Sequence, residues 1–185
     1  ACKFILEKNI FGCDIDSYSV KIAKIILACK AYKDGADKPL KINLSCFDEK
    51  SISPETAAQY RTLGSLYPAA DSKLHKEKSF DIILSNPPYT DSSDYSAELK
   101  TKIDIYYKDY RKNLYACFII RSYSLLKKNG ICAMITPQTF MFISSIKQTR
   151  SFILDNMNIK EFAHFGLGGV FENALVDTCA FILKK

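Results

Sequence analysis

The residues best suited to chemistry are the four of the turn Asn86-Pro87-Pro88-Tyr89, which directly follows the apolar run Phe80–Ser85. A run of this kind predicts a buried central strand of a parallel sheet. Open α/β sheets bind ligands at the carboxyl ends of their strands, so the turn after such a strand is where a site is expected. We therefore take the four residues as the candidate catalytic group.

The chemical groups of this turn suit a planar substrate that carries an NH2 group. Pro87 and Pro88 have fixed φ angles and no N–H, so they hold the loop in one shape and leave backbone carbonyls free. Asn86 adds a side-chain carbonyl, and Tyr89 adds a flat aromatic face. Two oxygen acceptors above an aromatic ring fit the exocyclic amine of a nucleobase or a primary carboxamide.

Such a nitrogen is a poor nucleophile because its lone pair is delocalised. Acceptors on both N–H bonds would return electron density to the nitrogen and stabilise the positive charge that develops as it attacks an electrophilic methyl group. The methyl donor then has only to be held in line, so the turn needs no titratable residue. An ordinary Pro-Pro turn is the alternative, but Asn86 before it and Tyr89 after it favour the catalytic interpretation.

A second candidate site lies in the segment Cys13-Asp14-Ile15-Asp16, at the end of the first predicted strand. A carboxylate in this position can accept both hydroxyls of a ribose, as in dinucleotide-binding folds, and Asp14 is the candidate. Asp16 is interpreted as the N-cap of the helix that follows. No glycine-rich turn, which would hold the rest of a nucleoside cofactor, precedes Asp14.

One glycine cluster, Gly166-Leu167-Gly168-Gly169, follows a predicted strand near the other end of the chain. Its glycines could bend the backbone and deliver Phe171 to a pocket. A plain loop is the simpler interpretation, and the residues by themselves favour it.

The size and composition are those of one α/β domain. The chain has 185 residues, 48% of them hydrophobic, which is enough for one sizeable core and too little for a second full domain. A formal charge of +6 is compatible with a phosphate-bearing partner and does not require one. Seven cysteines with no Cys-x-x-Cys pair, together with two histidines, predict no metal cluster. Most of the cysteines are expected to be reduced core residues of a cytoplasmic protein that has no membrane span.

Strands and helices alternate along the sequence. Strands are predicted at residues 9–14, 40–45, 80–85, 131–136, 159–164 and 176–183, and helices at residues 17–30 and 114–127. Gly130 is interpreted as the stop signal of the second helix. The alternation predicts a doubly wound, mostly parallel sheet, and the short connection before the last strand predicts an antiparallel pair at that edge.

Two polar stretches are not expected to contribute to the core. Residues 48–79 are predicted to form a connection with a short helix near residues 54–66. Residues 90–112 mix tyrosines with acidic and basic residues, which would allow contact with a nucleic-acid backbone and stacking on bases. A mobile, solvated loop is the interpretation that we favour for this second stretch.

Taken together, these segments resemble the γ-type adenine-N6 DNA methyltransferases, including those fused to restriction enzymes and those of phage-defence systems. Residues 12–16 resemble the family's ribose-binding segment, and residues 86–89 resemble its catalytic motif. Residues 113–115 and the helix after them, the strand region 131–140 and the segment 167–171 are also similar to the family. The likeness covers most of the chain.

The resemblance implies a Rossmann-like methyltransferase fold, S-adenosyl-L-methionine as the methyl donor and double-stranded DNA as the partner. The target adenine would be flipped out of the duplex, because its N6 cannot be reached in the stack. The resemblance further implies that Asn86 and the Pro87 carbonyl bind N6, that Tyr89 stacks on the base and that Phe171 closes the other side.

For the donor, the resemblance implies that Asp14 holds the ribose and that Ile15 and Phe47 flank the adenine. The chain departs from the family pattern in three places. The glycine-rich motif is missing, together with the strand that normally lies between those of Asp14 and Asn86. Cys46 stands where an acidic or amide residue is common, and Glu172 stands where proline is common.

We therefore expect residues 1–185 to be a single catalytic-domain fragment of a longer chain, lacking the N-terminal cofactor motif and the C-terminal target-recognition domain. By itself this fragment would bind the donor weakly or be inactive. Restriction or specificity domains would lie elsewhere on the parent chain.

Three hypotheses about function stay open. The first is an adenine-N6 DNA methyltransferase of a restriction-modification or defence system. The second keeps the fold and changes the acceptor to a protein glutamine amide or an RNA amine. The similarity of residues 113–130 and 167–171 to the DNA methyltransferase family argues against it. The third is a non-catalytic nucleic-acid-binding module, which the missing donor motif favours.

Overall fold

The computed structural model describes residues 2–14, 16–37, 39–46, 80–166 and 176–185. The chain divides into two compact units, Ala1–His75 and Lys76–Lys185. The helix predicted near residues 54–66 and the predicted site residues Ile15, Phe47 and Phe171 lie outside the described residues. The expectation of one catalytic domain over residues 1–185 stays a prediction.

The first unit contains two parallel strands joined by a helix. Its elements are α1 (Cys2–Lys8), β1 (Phe11–Asp14), α2 (Ser17–Lys33) and β2 (Asn43–Cys46). Strands β1 and β2 pair in parallel, with Gly12 opposite Leu44. A Cβ atom on Gly12 would lie 2.7 Å from the Leu44 side chain, so glycine allows this close packing. The predicted order of strand, helix and strand is confirmed for this part of the chain.

The second unit is a mixed sheet with helices packed on it. Its strands are β3 (Phe80–Ser85), β4 (Leu126–Pro137), β5 (Asn158–His164) and β6 (Thr178–Lys184), and its helices are α3 (Ala97–Tyr107), α4 (Leu114–Leu125) and α5 (Lys147–Asn156). Short 3-10 turns lie at Ser92–Asp94, Lys108–Tyr110, Gln138–Met141 and Ser144–Ile146. The strand order is β3-β4-β6-β5. Strands β3 and β4 are parallel and β6 is antiparallel to both β4 and β5, so three of the four strands share one direction. This confirms an α/β fold with a mostly parallel sheet.

The hydrophobic core of this unit lies on one face of the sheet. Its members are Tyr115, Ala116, Ile119, Leu126, Cys132, Met134, Phe140, Ile146, Ile153, Met157, Cys179, Phe181 and Leu183. Most of them come from β4 and β6, where the buried side chains alternate along the strand, and from α4 and α5. Phe140 and Ile146 lie in 3-10 turns, and Met157 directly follows α5. The rings of Phe140 and Phe181 meet edge to face at 5.5 Å.

The prediction of an antiparallel pair at the edge of the sheet is confirmed, because β6 pairs with β5 in antiparallel orientation and β5 is the edge strand. Within this pair β6 lies between β4 and β5, an order that the sequence pattern did not predict. The burial pattern gives the reason, because β6 is buried at alternate positions while every residue of β5 is exposed. The more apolar strand takes the interior place.

The prediction that β3 is buried on both faces is wrong. Within the described residues β3 pairs only with β4, and Ile82 and Leu84 are 59% and 76% exposed. Ile83, on the opposite face of the strand, packs against the core. The apolar run therefore forms a strand, and the described part of the chain covers only one of its two faces.

The interpretation of Gly130 as a helix stop is also wrong. Helix α4 ends at Leu125, and the chain turns at once into β4 through Leu126, which is extended at φ −70° and ψ 138°. Gly130 lies inside β4, where a Cβ atom would come within 3.2 Å of the Asp81 carbonyl oxygen. The glycine allows β3 and β4 to approach closely where their register shifts.

Residues 90–112 are folded, so the favoured interpretation of this stretch as a mobile, solvated loop is wrong. Tyr95, Leu99, Ile103 and Tyr107 are all buried. They follow one another at intervals of four residues, and residues with this spacing share one face of a helix. The tyrosines and charged residues between them obscured this pattern.

The cysteines are only partly core residues. None of the seven forms a disulfide, and Cys117, Cys132 and Cys179 are buried, whereas Cys29 is exposed. Burial raises the pKa of the Cys117 and Cys132 thiols to about 12, so these two groups stay protonated and unreactive at neutral pH. The expectation that most of the cysteines are in the core is therefore wrong for the remaining four.

Candidate functional site

The turn Asn86-Pro87-Pro88-Tyr89 lies at the carboxyl end of β3, as the sequence predicts. The Asn86 side chain is exposed, Pro87 is buried, Pro88 is exposed and Tyr89 is half-buried. The Asn86 side chain is therefore not buried against other residues, and a substrate can reach it. The buried Pro87 fixes the turn to the body of the unit.

A hydrogen bond inside the turn orients the Asn86 carboxamide. The Tyr89 hydroxyl donates to Asn86 Oδ1 at 2.8 Å and lies 3.3 Å from the Ile135 carbonyl oxygen. A carbonyl oxygen can accept two hydrogen bonds, so Oδ1 keeps one acceptor position open. Among the described residues no donor reaches the Pro87 carbonyl. The turn thus presents two neighbouring oxygen acceptors with capacity left for a ligand.

Tyr89 stays a hydrogen-bond donor over the working range of an enzyme. Burial raises the pKa of its hydroxyl above the ordinary tyrosine value, with a smaller contribution from Cys179. The ring also packs against the core cluster, which limits its rotation. Both its donor group and its aromatic face are therefore held in place.

The turn is tied to the start of α4 by Asn113, a residue that the chemical reasoning from the sequence did not single out. Asn113 Nδ2 donates to the Tyr89 carbonyl oxygen at 3.2 Å, and Asn113 Oδ1 accepts from the Tyr115 N–H at 3.3 Å. The Leu114 N–H donates to the Thr90 carbonyl at 3.0 Å. An asparagine directly before an apolar helical run is an N-cap signal, and this signal could have identified Asn113.

A cavity of about 640 Å³ borders Asn86. The strand residues of its wall whose side chains share one face, the face opposite the core cluster, are Leu84, Ala133, Ile135, Glu161, Ala163, Ala180 and Ile182. Apart from Glu161 this wall is apolar, so most of it can exclude water. The polar groups available to a ligand here come from the Asn86 turn and from the Glu161 carboxylate.

Asp14 lies in the first unit, exposed at the carboxyl end of β1. Its Oδ1 accepts a hydrogen bond from the Asp16 N–H at 2.8 Å, and within the described residues Oδ2 has no partner. This geometry leaves one carboxylate oxygen for an external donor such as a ribose hydroxyl. The ribose-binding role of Asp14 stays a prediction.

Asp16 is the N-cap of α2, as predicted. Its carboxylate accepts from the N–H groups of Tyr18 and Ser19 and, at 2.6 Å, from the Ser19 hydroxyl. The hydrogen bond from the Ser19 hydroxyl is the largest cause of the lowered pKa of this carboxyl group. Because these bonds occupy the carboxylate, Asp14 is the freer of the two acidic groups.

The predicted site residues thus fall into three sets. Asn86, Pro87, Pro88 and Tyr89 form one hydrogen-bonded turn in the second unit, and Asp14 ends a parallel strand in the first. Ile15, Phe47 and Phe171 are outside the described residues, so their roles stay predictions.

The fold is that of the S-adenosylmethionine-dependent methyltransferases. The chain matches a putative class I S-adenosylmethionine-dependent methyltransferase from Listeria monocytogenes with a TM-score of 0.55 and 14% identity, over 100% of this chain and 56% of that chain. It matches a modification subunit of a putative type I restriction enzyme from Vibrio vulnificus YJ016 with a TM-score of 0.62 and 14% identity, over 99% of this chain and 34% of that chain.

The chain belongs to the Eco57I restriction-modification methylase family, whose family model matches residues 8–171. It is 32% identical to the type II restriction enzyme and methyltransferase RM.Eco57I from Escherichia coli, over 98% of this chain and 19% of that protein. It is 33% identical to the adenine-specific methyltransferase BrxX from Escherichia coli O9:H4 (strain HS), over 57% of this chain and 9% of that protein. The chain spans less than a fifth of the length of these two relatives.

Within the described ranges, no helix has both the length and the apolar character needed to cross a bilayer.

Proposed function

We propose that the protein to which this chain belongs transfers a methyl group from S-adenosyl-L-methionine to N6 of adenine in double-stranded DNA, within a restriction-modification or defence system. The observation that carries this proposal is the exposed Asn86 carboxamide, whose oxygen is held by the Tyr89 hydroxyl at 2.8 Å and is followed in the chain by the Pro87 carbonyl, to which no described residue donates. Two relatives support it by name, one as an adenine-specific methyltransferase and one as a restriction enzyme and methyltransferase.

In the proposed reaction, Asn86 Oδ1 and the Pro87 carbonyl oxygen accept hydrogen bonds from the two N–H groups of N6. The donor supplies an electrophilic sulfonium methyl group. As the N–C bond forms and the S–C bond breaks, positive charge appears on N6, and the two oxygen dipoles stabilise it because they are already aimed at that nitrogen. The thioether leaves, and one proton of N6 passes to water.

The remaining contacts follow from the same proposal. The Tyr89 ring stacks on the target base, Pro88 keeps the turn rigid, and Phe171 closes the opposite side of the base. Asp14 binds the ribose hydroxyls of the donor through its open Oδ2, and Ile15 and Phe47 flank the donor's adenine. The free Asp14 oxygen supports the ribose contact.

The adenine must leave the helix to reach the turn, since its N6 is paired in the duplex. We assign the reading of the DNA sequence, and any cleavage of DNA, to other parts of the parent chain. The proposed donor and substrate are cytoplasmic molecules, so the proposal locates the parent protein in the cytoplasm.

The test is methyl transfer by the full-length protein from labelled donor to DNA, RNA and protein, repeated with Asn86→Ala. The expected result is label on adenine N6 of DNA and a loss of about 100-fold or more in rate for the variant, the scale reported for removing one preorganised dipole. Asn158→Ala is the matched control, because Asn158 is also an exposed asparagine but lies at the start of β5.

Label on RNA or on a protein amide would overturn the DNA assignment in favour of another acceptor. An absence of transfer, with DNA binding intact, would support the non-catalytic module. Equal activity in the Asn86→Ala and Asn158→Ala variants would show that the proposed catalytic turn takes no part in the reaction.

A further inference from the structure

A second cavity, of about 360 Å³, lies directly after the catalytic turn. The described residues of its wall all come from residues 91–112, the stretch that the sequence led us to interpret as a loop. The residues of the wall that matter here are Asp91, Tyr95, Lys100, Asp104, Arg111 and Lys112. We call it the lysine cavity.

Backbone hydrogen bonds join the lysine cavity to the catalytic turn. Leu114 N–H donates to the Thr90 carbonyl and Ser92 N–H donates to the Lys112 carbonyl, each at 3.0 Å. Asp91 and Asn113 form an antiparallel bridge. Asp91 is two residues from Tyr89, so their Cα atoms are at most about 7 Å apart. The cavity and the turn are therefore parts of one fixed structure.

Among the described residues of the wall, three basic side chains stand against two acidic ones, which leaves a positive charge available to a ligand. Arg111 Nη1 pairs with Asp104 Oδ1 at 2.7 Å, which offsets one cation against one acid. Asp91 is occupied as the cap of the following 3-10 turn, where it accepts from the Ser93 N–H. By contrast, the ammonium groups of Lys100 and Lys112 have no hydrogen bond or ion pair within the described residues.

The wall also contains a buried donor that has no acceptor. Tyr95 is 6% exposed, and its hydroxyl has no hydrogen-bond partner among the described residues. Burial raises the pKa of this hydroxyl far above the ordinary tyrosine value, so the group remains a neutral donor. A buried donor left unpaired is costly, and an oxygen-rich ligand in the cavity would supply the missing acceptor.

We infer that the lysine cavity binds a backbone phosphate of the DNA, next to the target adenine, through Lys100 and Lys112 with Tyr95 as an additional donor. This inference rests on the proposed function and adds a contact to the same substrate. A flipped nucleotide rotates about its own backbone, so its flanking phosphates stay near the entrance of the base pocket. A phosphate contact fixes the position of the strand without reading its sequence.

The first test is the salt dependence of DNA binding by the full-length protein. The probe is a duplex that contains the sequence found to be methylated. Lys100→Gln and Lys112→Gln should each weaken binding about five- to tenfold at 0.1 M salt and reduce the slope of log affinity against log salt by about one. Lys128→Gln is the matched control. Lys128 is exposed in the first part of β4, at the opposite end of the sheet from Asn86, and should leave both values unchanged.

The second test locates the phosphate. Single phosphates around the target adenine are replaced by uncharged methylphosphonates, and the effect of Lys112→Gln is measured again at each position. The effect should vanish at one phosphate within two nucleotides of the adenine, because the lysine then has no charge to contact. If it persists at every position, the inference is overturned.

Tyr95→Phe separates the hydroxyl from the packing of the ring. Because it removes an unpaired buried hydroxyl, the variant should fold at least as stably as the wild type and yet bind DNA about two- to tenfold more weakly, with an unchanged salt slope. An unchanged affinity would overturn the part assigned to Tyr95.

The failure of this inference and that of the proposed function give different results. If adenine is methylated but neither lysine variant alters the salt slope, the cavity does not bind phosphate and the proposed function stands. If no adenine is methylated, a random-sequence duplex is the probe. A reduced slope in both lysine variants then supports a phosphate site in a protein that does not have the proposed activity.

Discussion

At the scale of single residues, the Tyr89 hydroxyl determines which way the Asn86 carboxamide points. An asparagine side chain presents an acceptor on one side and a donor on the other, and an exposed one can rotate to offer either. The 2.8 Å bond from the Tyr89 hydroxyl to Oδ1 selects the orientation in which the oxygen faces the Tyr89 hydroxyl. A donor in the wrong place would repel the N–H groups of the proposed substrate.

Tyr89→Phe should therefore slow methyl transfer while leaving DNA binding almost unchanged. The ring that would stack on the base remains, but the carboxamide loses one neutral hydrogen bond worth about 0.5–1.5 kcal/mol, which corresponds to a decrease of about two- to tenfold in kcat. Steady-state kinetics would show a lower kcat at similar KM. A kcat equal to that of the wild type would contradict this role for the hydroxyl.

The wild-type protein and the Tyr89→Phe variant also give a prediction about pH dependence. Burial raises the pKa of Tyr89, so the hydroxyl keeps its proton as the pH rises through neutrality to the ordinary tyrosine range near pH 10. The ratio of the wild-type kcat to the Tyr89→Phe kcat should be constant from about pH 6 to pH 9. A ratio that falls within that window would indicate that the hydroxyl ionises there and is less buried than the structure shows.

At the scale of elements, Asn113 has two functions, and one substitution can remove the second while it keeps the first. Its Oδ1 caps α4, and its Nδ2 holds the Tyr89 carbonyl. Asn113→Asp keeps the acceptor that caps the helix and removes the donor that positions the turn. We expect this variant to unfold at nearly the wild-type urea concentration and to have a lower kcat.

Asn113→Ala is the comparison for that experiment, since it removes both groups and should also lose about 1 kcal/mol of stability. Urea unfolding and methyl-transfer rates would be measured on both variants. Full activity in a stable Asn113→Asp variant would show that the bond to Tyr89 does not position the turn.

The elements also show what the sequence could reveal and what it could not. The bounds of β3, the position of the Asn86 turn at the end of that strand and the capping by Asp16 depend on neighbouring residues in the chain, and local patterns predicted them. The placement of β6 between β4 and β5 depends on pairing between distant segments, which periodicity does not encode. The helix α3 was missed although its spacing signal was present, because tyrosines that line a helix face were taken as a surface feature.

At the scale of the whole molecule, the four-stranded sheet of the second unit is packed unequally on its two faces. The core lies on the α4 and α5 side, where Leu126 is fully buried, whereas Leu84 on the other face is 76% exposed. Hydrophobic stabilisation depends on the area removed from water, so identical residues on these two faces should contribute very differently.

Leu126→Ala should lower the free energy of unfolding of the 185-residue chain by about 2–5 kcal/mol, because it leaves a cavity in the core. Leu84→Ala removes the same atoms from an exposed position and should change that free energy by no more than about 0.5 kcal/mol. Urea unfolding monitored by circular dichroism measures both. A similar loss in the two variants would mean that the face of Leu84 is covered in solution.

The short-range hydrogen bonds among Thr90, Ser92, Lys112 and Asn113 also bear on how proteins of this kind can diversify. Most of the hydrogen bonds that support the amino-group acceptors join residues of one continuous stretch of polypeptide, and the support from more distant segments comes from the Ile135 carbonyl and the core cluster. Recognition modules could then be exchanged or remodelled around this stretch without readjusting its geometry. New target preferences would be acquired while the chemistry itself is inherited unchanged.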